Sequence, residues 1–160
     1  MDIPIRYQGK SKMSSKILFC SPRDKYGCFS NFSQHAVVVN GKYYETTEHL
    51  YQALKTTNDK DHEFVRTAHS PKLAKTRAYT VACVPNWEQI RVEVMRGTIR
   101  EKAMQHQIIR EALESTGDAE LIEFSRKDHF WGQDINGIGE NWLGKLWMDL
   151  RREIRMLNAL

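Results

Sequence analysis

Asn40-Gly41 stands between two short β-forming runs, Ala-Val-Val-Val over 36–39 and Lys-Tyr-Tyr-Glu over 42–45. Both central positions of the tightest hairpin turn need positive φ, which Asn and Gly tolerate best. The dipeptide therefore closes a β-hairpin and fixes its register. The second run passes straight into Thr46-Thr47-Glu48. Either threonine can accept a bond from a free amide at a helix start. Glu48 then lies in the first turn, where the helix dipole favours its anionic form. A helix thus leaves directly from the second strand, and Glu48, Gln52 and Lys55 stand on it at i, i+4 and i+7. That spacing puts them on one face, with Tyr51 flanking it. An amine beside a carboxylate can carry protons or trap a carbonyl. It can equally be half of a surface ion pair worth about 0.2–0.5 kcal/mol, and spacing alone favours that plainer reading.

Around this unit the chain predicts further short elements. Ile17-Leu18-Phe19 reads as a buried strand, followed by turn formers over 21–27 and then Phe29-Ser30-Asn31-Phe32. Helices are expected over 59–69, over 71–79 behind Ser70-Pro71, over 87–106 behind Asn86, over 107–115 up to Gly117, and over 141–156. Serine before proline is a helix start. Asn86 with Gln89 three residues later has the form of a capping box. Ile90, Val94, Met95 and Ile99 form the expected buried stripe of the long helix. In the last helix Leu143, Leu146, Trp147, Leu150, Ile154 and Leu157 keep the 3.6-residue period of a core-facing helix. Residues 119–125 read as a strand around Leu121 and Ile122.

A chain of 160 residues favours one domain. Residues 1–15 are polar and rich in serine and lysine, which predicts a flexible tail before a single domain over 16–160. The tail holds neither a signal peptide nor an anchor, and no apolar run is long enough for a membrane span. Three cysteines without a CxxC pair argue against a disulfide scaffold and a thiolate zinc site, and fit a cytoplasmic location. The six histidines lack HExxH spacing. No metal and no cofactor are expected. A net charge of +4 suits a phosphorylated ligand or nucleic acid without requiring either.

A second cluster, Asp128-His129-Phe130-Trp131-Gly132-Gln133-Asp134, leads through Gly137 and Gly139 into the last helix. Acid, indole and glycine together suit a binding loop on a rigid scaffold, and glycines let backbone approach a ligand. A glycine-rich turn with a structural Trp131 is an equally good account. Trp87 and Trp131 could stack on a planar base, worth roughly 1–3 kcal/mol per base. There is no GxSxG, Walker or GxGxxG motif.

Taken in order, Phe29-Ser30-Asn31-Phe32, Thr47-Glu48-His49 with Gln52-Ala53 and Lys55, Asn86-Trp87, and the stretch from Asp128 to Leu143-Gly144 resemble the NADAR family, most closely its bacterial N-glycosidase branch. The resemblance runs from about residue 16 to residue 155. It implies an α+β, predominantly helical, single compact domain with a small hairpin or sheet packed by several helices. It also implies hydrolysis of the bond between a base and ribose phosphate, in the phosphoribosylamino-pyrimidine intermediates of early riboflavin synthesis. Family members that remove ADP-ribose from guanine in nucleic acid make that the alternative substrate. Glu48, Lys55, Asp128 and Trp131 match the family's active-site positions. Leu50-Tyr51 departs from the family's usual aromatic pair, and Trp142 and Trp147 stand where smaller residues are expected.

On this reading Glu48, Lys55 and Asp128 are catalytic. Trp131 and Trp87 hold the base, Arg23 the phosphate, and Asn31, Gln52 and Gly132 complete the substrate contacts. Glu48 and Asp128 would share stabilisation of the anomeric cation and activation of water. Lys55 would serve as a phosphate or leaving-group contact or as a Schiff-base nucleophile. A rival of another class is a non-catalytic nucleotide- or RNA-binding module, for which affinity should fall steeply with salt.

Overall fold

The computed structural model describes residues 14–160, so the expected tail lies almost wholly outside the described residues. In chain order the elements are β1 (Lys16–Phe19), β2 (Val37–Val39), β3 (Lys42–Tyr44), α1 (Thr47–Ala53), α2 (Asp59–Arg66), α3 (Pro71–Ala78), α4 (Trp87–Gln105), α5 (Gln107–Ser115), β4 (Glu120–Glu123) and α6 (Trp142–Asn158). A single 3-10 turn, Gly27–Phe29, precedes the hairpin. The fold is α+β and predominantly helical, as expected.

The hairpin forms at its predicted turn: Asn40 has φ 50° and Gly41 φ 75°, and Val39 faces Lys42 across it. β1 and β4 pair in parallel, Phe19 opposite Glu123, and so bring together segments about a hundred residues apart. Two apolar cores result. One gathers Phe19, Phe29, Ile99, Leu121 and Trp147; the other gathers Val37, Tyr44, Leu50, Ala53 and Val65.

α1 lies between them. Tyr51 packs into the first core, Leu50 and Ala53 into the second, and all seven residues of the helix are buried. A buried helix must satisfy its polar groups internally. Thr46 caps it by accepting the His49 amide, and its hydroxyl meets His49 Nδ1 at 2.8 Å. His49 Nε2 donates to the Ala68 carbonyl at 2.9 Å. The Glu48 amide donates to the Asn31 carbonyl at 3.0 Å, and the Thr47 hydroxyl to Asn31 Oδ1 at 2.9 Å. These bonds fix which way Glu48 and Gln52 face.

α4 departs from its expected stripe. Trp87, Met95, Thr98, Ile99, Lys102 and Ala103 are its buried residues, whereas Ile90 and Val94 are half-buried. The helix is rotated so that Lys102 enters the core, where its ammonium donates to the Ser30 carbonyl at 2.8 Å and to Ser33 Oγ. Burial pushes the Lys102 pKa down to about 7, with Cys28 a small opposing influence. The capping box is also absent. Asn86 sits at φ −96°, ψ 21° and makes no side-chain cap, because an N-cap needs extended backbone to aim its side chain at the free amides. The chain enters α4 instead through Trp87 N–H to Val84 O at 3.2 Å.

Lys102 gives the fold a pH signature. An unfolded lysine keeps its proton to about pH 10.4, so above pH 7 the unfolded chain binds more protons than the native one. The Lys102 contribution should therefore raise stability as pH climbs from about 7 towards 10. Chemical denaturation across that window should lose this rise in Lys102→Met.

α6 buries Leu143, Leu146, Trp147, Leu150 and Ile154 as its period predicts; Leu157, past the edge of the core, is 52% exposed. Trp147 is fully buried, donates to the Phe29 carbonyl at 3.0 Å, and packs on the Phe29 ring at 5.0 Å. Trp147→Ala should cost about 3–5 kcal/mol in a denaturant titration.

Candidate active site

A cavity of about 430 Å³ opens where α1, α3, α4, the end of β4 and the loop before α6 converge. It brings together Glu48, Gln52 and Lys55 from the α1 region, Trp87 from α4, and Asp128 and Trp131 from the loop. The helix and the indole-bearing loop that the sequence singled out therefore face one space.

Glu48 is 6% exposed and accepts Gln52 Nε2 at 2.7 Å. Burial raises the Glu48 pKa and nearby Asp128 adds to the rise; the Gln52 bond, then Lys75 and Lys55, pull it back. Gln52 Oε1 is buried and has no partner among the described residues. An orphaned carbonyl of this kind costs about 1–3 kcal/mol unless a ligand donor or water meets it.

The Lys55 ammonium lies over the rings of Tyr51, Trp87 and Tyr79, at 5.2, 5.4 and 5.6 Å from their centroids. Burial lowers the Lys55 pKa, and Glu48 opposes that most. The three ring faces also favour the charged amine.

Asp128 builds the loop it sits in. Its Oδ1 accepts the amides of Trp131 at 2.9 Å and Phe130 at 3.1 Å, while Ser125 Oγ accepts its own amide at 2.8 Å. One oxygen is committed to the turn, and among the described residues the other has no donor. Trp131 meets Tyr51 edge-on at 5.7 Å and Phe130 at 4.9 Å. The Arg91 guanidinium lies over the Phe130 ring, 3.5 Å from its centroid.

Three expected contacts fall elsewhere or act indirectly. Gly132 does not line the cavity; a Cβ there would lie 2.5 Å from the Glu123 carbonyl, so its role is to let the loop close onto β4. Arg23 lies on a second cavity of about 700 Å³ with His35 and His69. Phe32 lines both cavities, whereas Arg23 lines only the second and Glu48 only the first. Asn31 does line the main cavity, but its side chain is taken up by Thr47 and by Met95 Sδ at 3.1 Å.

Lining residues that sequence did not place among the expected catalytic and substrate contacts include Glu123, Lys75, Tyr79, Glu88 and Arg91. Glu123 ends β4, two residues after the buried Leu121 and hence on its face. Burial, followed by Asp128 and Glu48, pushes the Glu123 pKa up to about 8. Lys75 and Tyr79 stand four apart at the end of α3, a spacing that could have paired them. Among the described residues, no group of three or more His, Cys, Asp or Glu could hold a metal ion. No helix among them is long and apolar enough to cross a membrane.

The NADAR domain family matches residues 18–155. An N-glycosidase of Nostoc punctiforme is 38% identical over 149 residues, spanning 90% of this chain and 96% of that protein. The N-glycosidase YbiA of Escherichia coli is 37% identical over 156 residues, 95% of this chain and 98% of its own. The solution structure of E. coli YbiA superposes with a TM-score of 0.84 at 36% identity, covering 91% of this chain and 88% of that one. A longer riboflavin biosynthesis protein of Vibrio vulnificus is 37% identical over 145 residues, 89% of this chain but 40% of its own length. With the family matched over nearly the whole described chain and a relative of the same length sharing its fold, this chain belongs to the NADAR family.

Proposed function

We propose that the chain is an N-glycosidase, a hydrolase of N-glycosyl bonds, whose substrate is a small phosphoribosylamino-pyrimidine. The observation that carries this is the single cavity holding buried Glu48, Asp128 and two tryptophans. Cleavage of a base from ribose builds positive charge at the anomeric carbon. Carboxylates fixed beforehand around that carbon lower the barrier, because they need no reorganisation as the charge appears. Glu48 and Asp128 stabilise that charge and accept the proton of attacking water. Trp131 and Trp87 flank the base, and the Gln52 carbonyl accepts one of its N–H groups.

Lys75 is the phosphate contact. It is the cavity lysine outside the aromatic cage and forms no ion pair among the described residues, whereas Arg91 is bound to Glu88 at 3.0 Å. Lys75→Ala should raise KM for a phosphorylated substrate with little change in kcat. An equal KM for phosphorylated and unphosphorylated substrates in the wild type would remove the assignment. The three free thiols, two of them exposed, fit a reducing compartment such as the cytoplasm.

A second route is favoured by the lowered Lys55 pKa. An aminated ribose opens to an imine, and an unprotonated Lys55 could exchange onto it. Borohydride added during turnover should leave a sugar adduct on Lys55 if this route operates. Turnover without an adduct leaves direct hydrolysis, with Lys55 as a caged cation. ADP-ribosyl-guanine is the alternative substrate, and its second phosphate and adenosine would need room beyond that for a phosphoribosylamino-pyrimidine. Offering both substrate types to the protein separates the two.

A further inference from the structure

Four carboxyl groups line the cavity; Glu88 is paired with Arg91 at 3.0 Å, and the other three are not equally provided for. Glu48 receives the Gln52 amide at 2.7 Å. Asp128 receives two backbone amides, at 2.9 and 3.1 Å. Glu123 receives no hydrogen bond from any described residue, although its backbone is pinned at both ends: its amide donates to Asn141 Oδ1 at 3.0 Å, and its carbonyl accepts the Gln133 amide at 2.9 Å. Donors stabilise the ionised form of a carboxyl, and like charges nearby destabilise it. When several carboxyls crowd one site, the proton settles where ionisation is least supported. Glu123 is that place. The charged and titratable groups around it are Glu48 on α1, Lys75 on α3, Asp128 on the loop and Cys20 beyond β1. Lys75 alone among them favours its ionisation. The partnerless Gln52 Oε1 in the same cavity marks the space as one built to receive a donor-bearing ligand.

We propose that Glu123 is the general acid of the reaction, giving its proton to the leaving nitrogen of the base as the glycosidic bond breaks. The inference rests on the N-glycosidase reading above. The bonding pair of the C–N bond goes to nitrogen, which takes the Glu123 proton. Water oxygen bonds to the anomeric carbon, and its proton passes to the Glu48 or Asp128 carboxylate. Transfer of that proton back to Glu123, directly or through solvent, restores the starting state with one water consumed. The raised Glu123 pKa keeps the acid charged with its proton at neutral pH.

The test compares two leaving groups. A phosphoribosylamino-pyrimidine leaves as a poor, basic amine. Para-nitrophenyl ribofuranoside 5-phosphate leaves as a stabilised phenolate that needs no proton. Glu123→Gln should lower kcat on the first by about 10²-fold or more and leave the second nearly unchanged, while Glu48→Gln loses both. Equal effects of Glu123→Gln on the two substrates, or none on either, overturn the proposal. If Glu123→Gln does not fold, the wild-type pH profiles decide. kcat on the amine substrate should fall above about pH 8 while that on the phenolate substrate does not; superimposable profiles count against Glu123. A wild-type protein that cleaves neither substrate removes the N-glycosidase reading itself, and this inference with it.

Discussion

Glu48→Gln should fold normally and release base at least about 10²-fold more slowly than the wild type. The substitution keeps the size of the side chain and the acceptor that Gln52 Nε2 meets at 2.7 Å. It removes the negative charge that the proposed mechanism sets against the anomeric carbon. Because Glu48 is buried and its pKa is raised by that burial, a neutral amide there relieves a cost to the fold. The melting temperature should therefore stay level or rise while kcat collapses. A sedimentation profile and thermal melt, run beside the turnover assay, separate the two effects. Wild-type turnover by a folded Glu48→Gln protein would remove Glu48 from the mechanism.

At Asp128 the two natural substitutions should part company. Asparagine retains a carbonyl able to accept the Phe130 and Trp131 amides, so Asp128→Asn keeps the loop and Trp131 in place and loses only charge. kcat should fall by about 10²-fold with KM little changed. Asp128→Ala also strands two backbone donors, each worth roughly 1–3 kcal/mol if left unpaired. Its loop should open, KM should rise as well, and Trp131 fluorescence should shift towards that of exposed indole. Matching kinetics for the two variants would mean that the turn does not depend on the Asp128 side chain.

Sequence carried the elements well and the rotations poorly. Asn40-Gly41, Ser70-Pro71 and the period of the last helix each express a local rule, and each element formed where that rule puts it. The long helix was harder, because its face is decided by what it packs against. Lys102 can enter the core only because the Ser30 carbonyl and Ser33 hydroxyl are there to receive its ammonium, and neither is local to it in sequence. At the cavity, i to i+4 spacing was enough to align Glu48 with Gln52. Local spacing could not show that β4 pairs with β1 and so delivers Glu123 to the same space. Nor could it separate Gly132, which admits the strand, from a glycine that admits a ligand. Arg23 was placed by its charge alone, and charge carries no direction: it lines the second cavity and Glu48 the first.

The central claim is that α1 and the Asp128–Trp131 loop act as one site on a base–ribose bond. Its most direct test is a product analysis of the purified wild-type protein with a phosphoribosylamino-pyrimidine, following free base and ribose 5-phosphate together. The account predicts equimolar appearance of both, slowed about 10²-fold or more by Glu48→Gln and by Asp128→Asn alike. An intact substrate, or base release that survives both substitutions in folded protein, would contradict it.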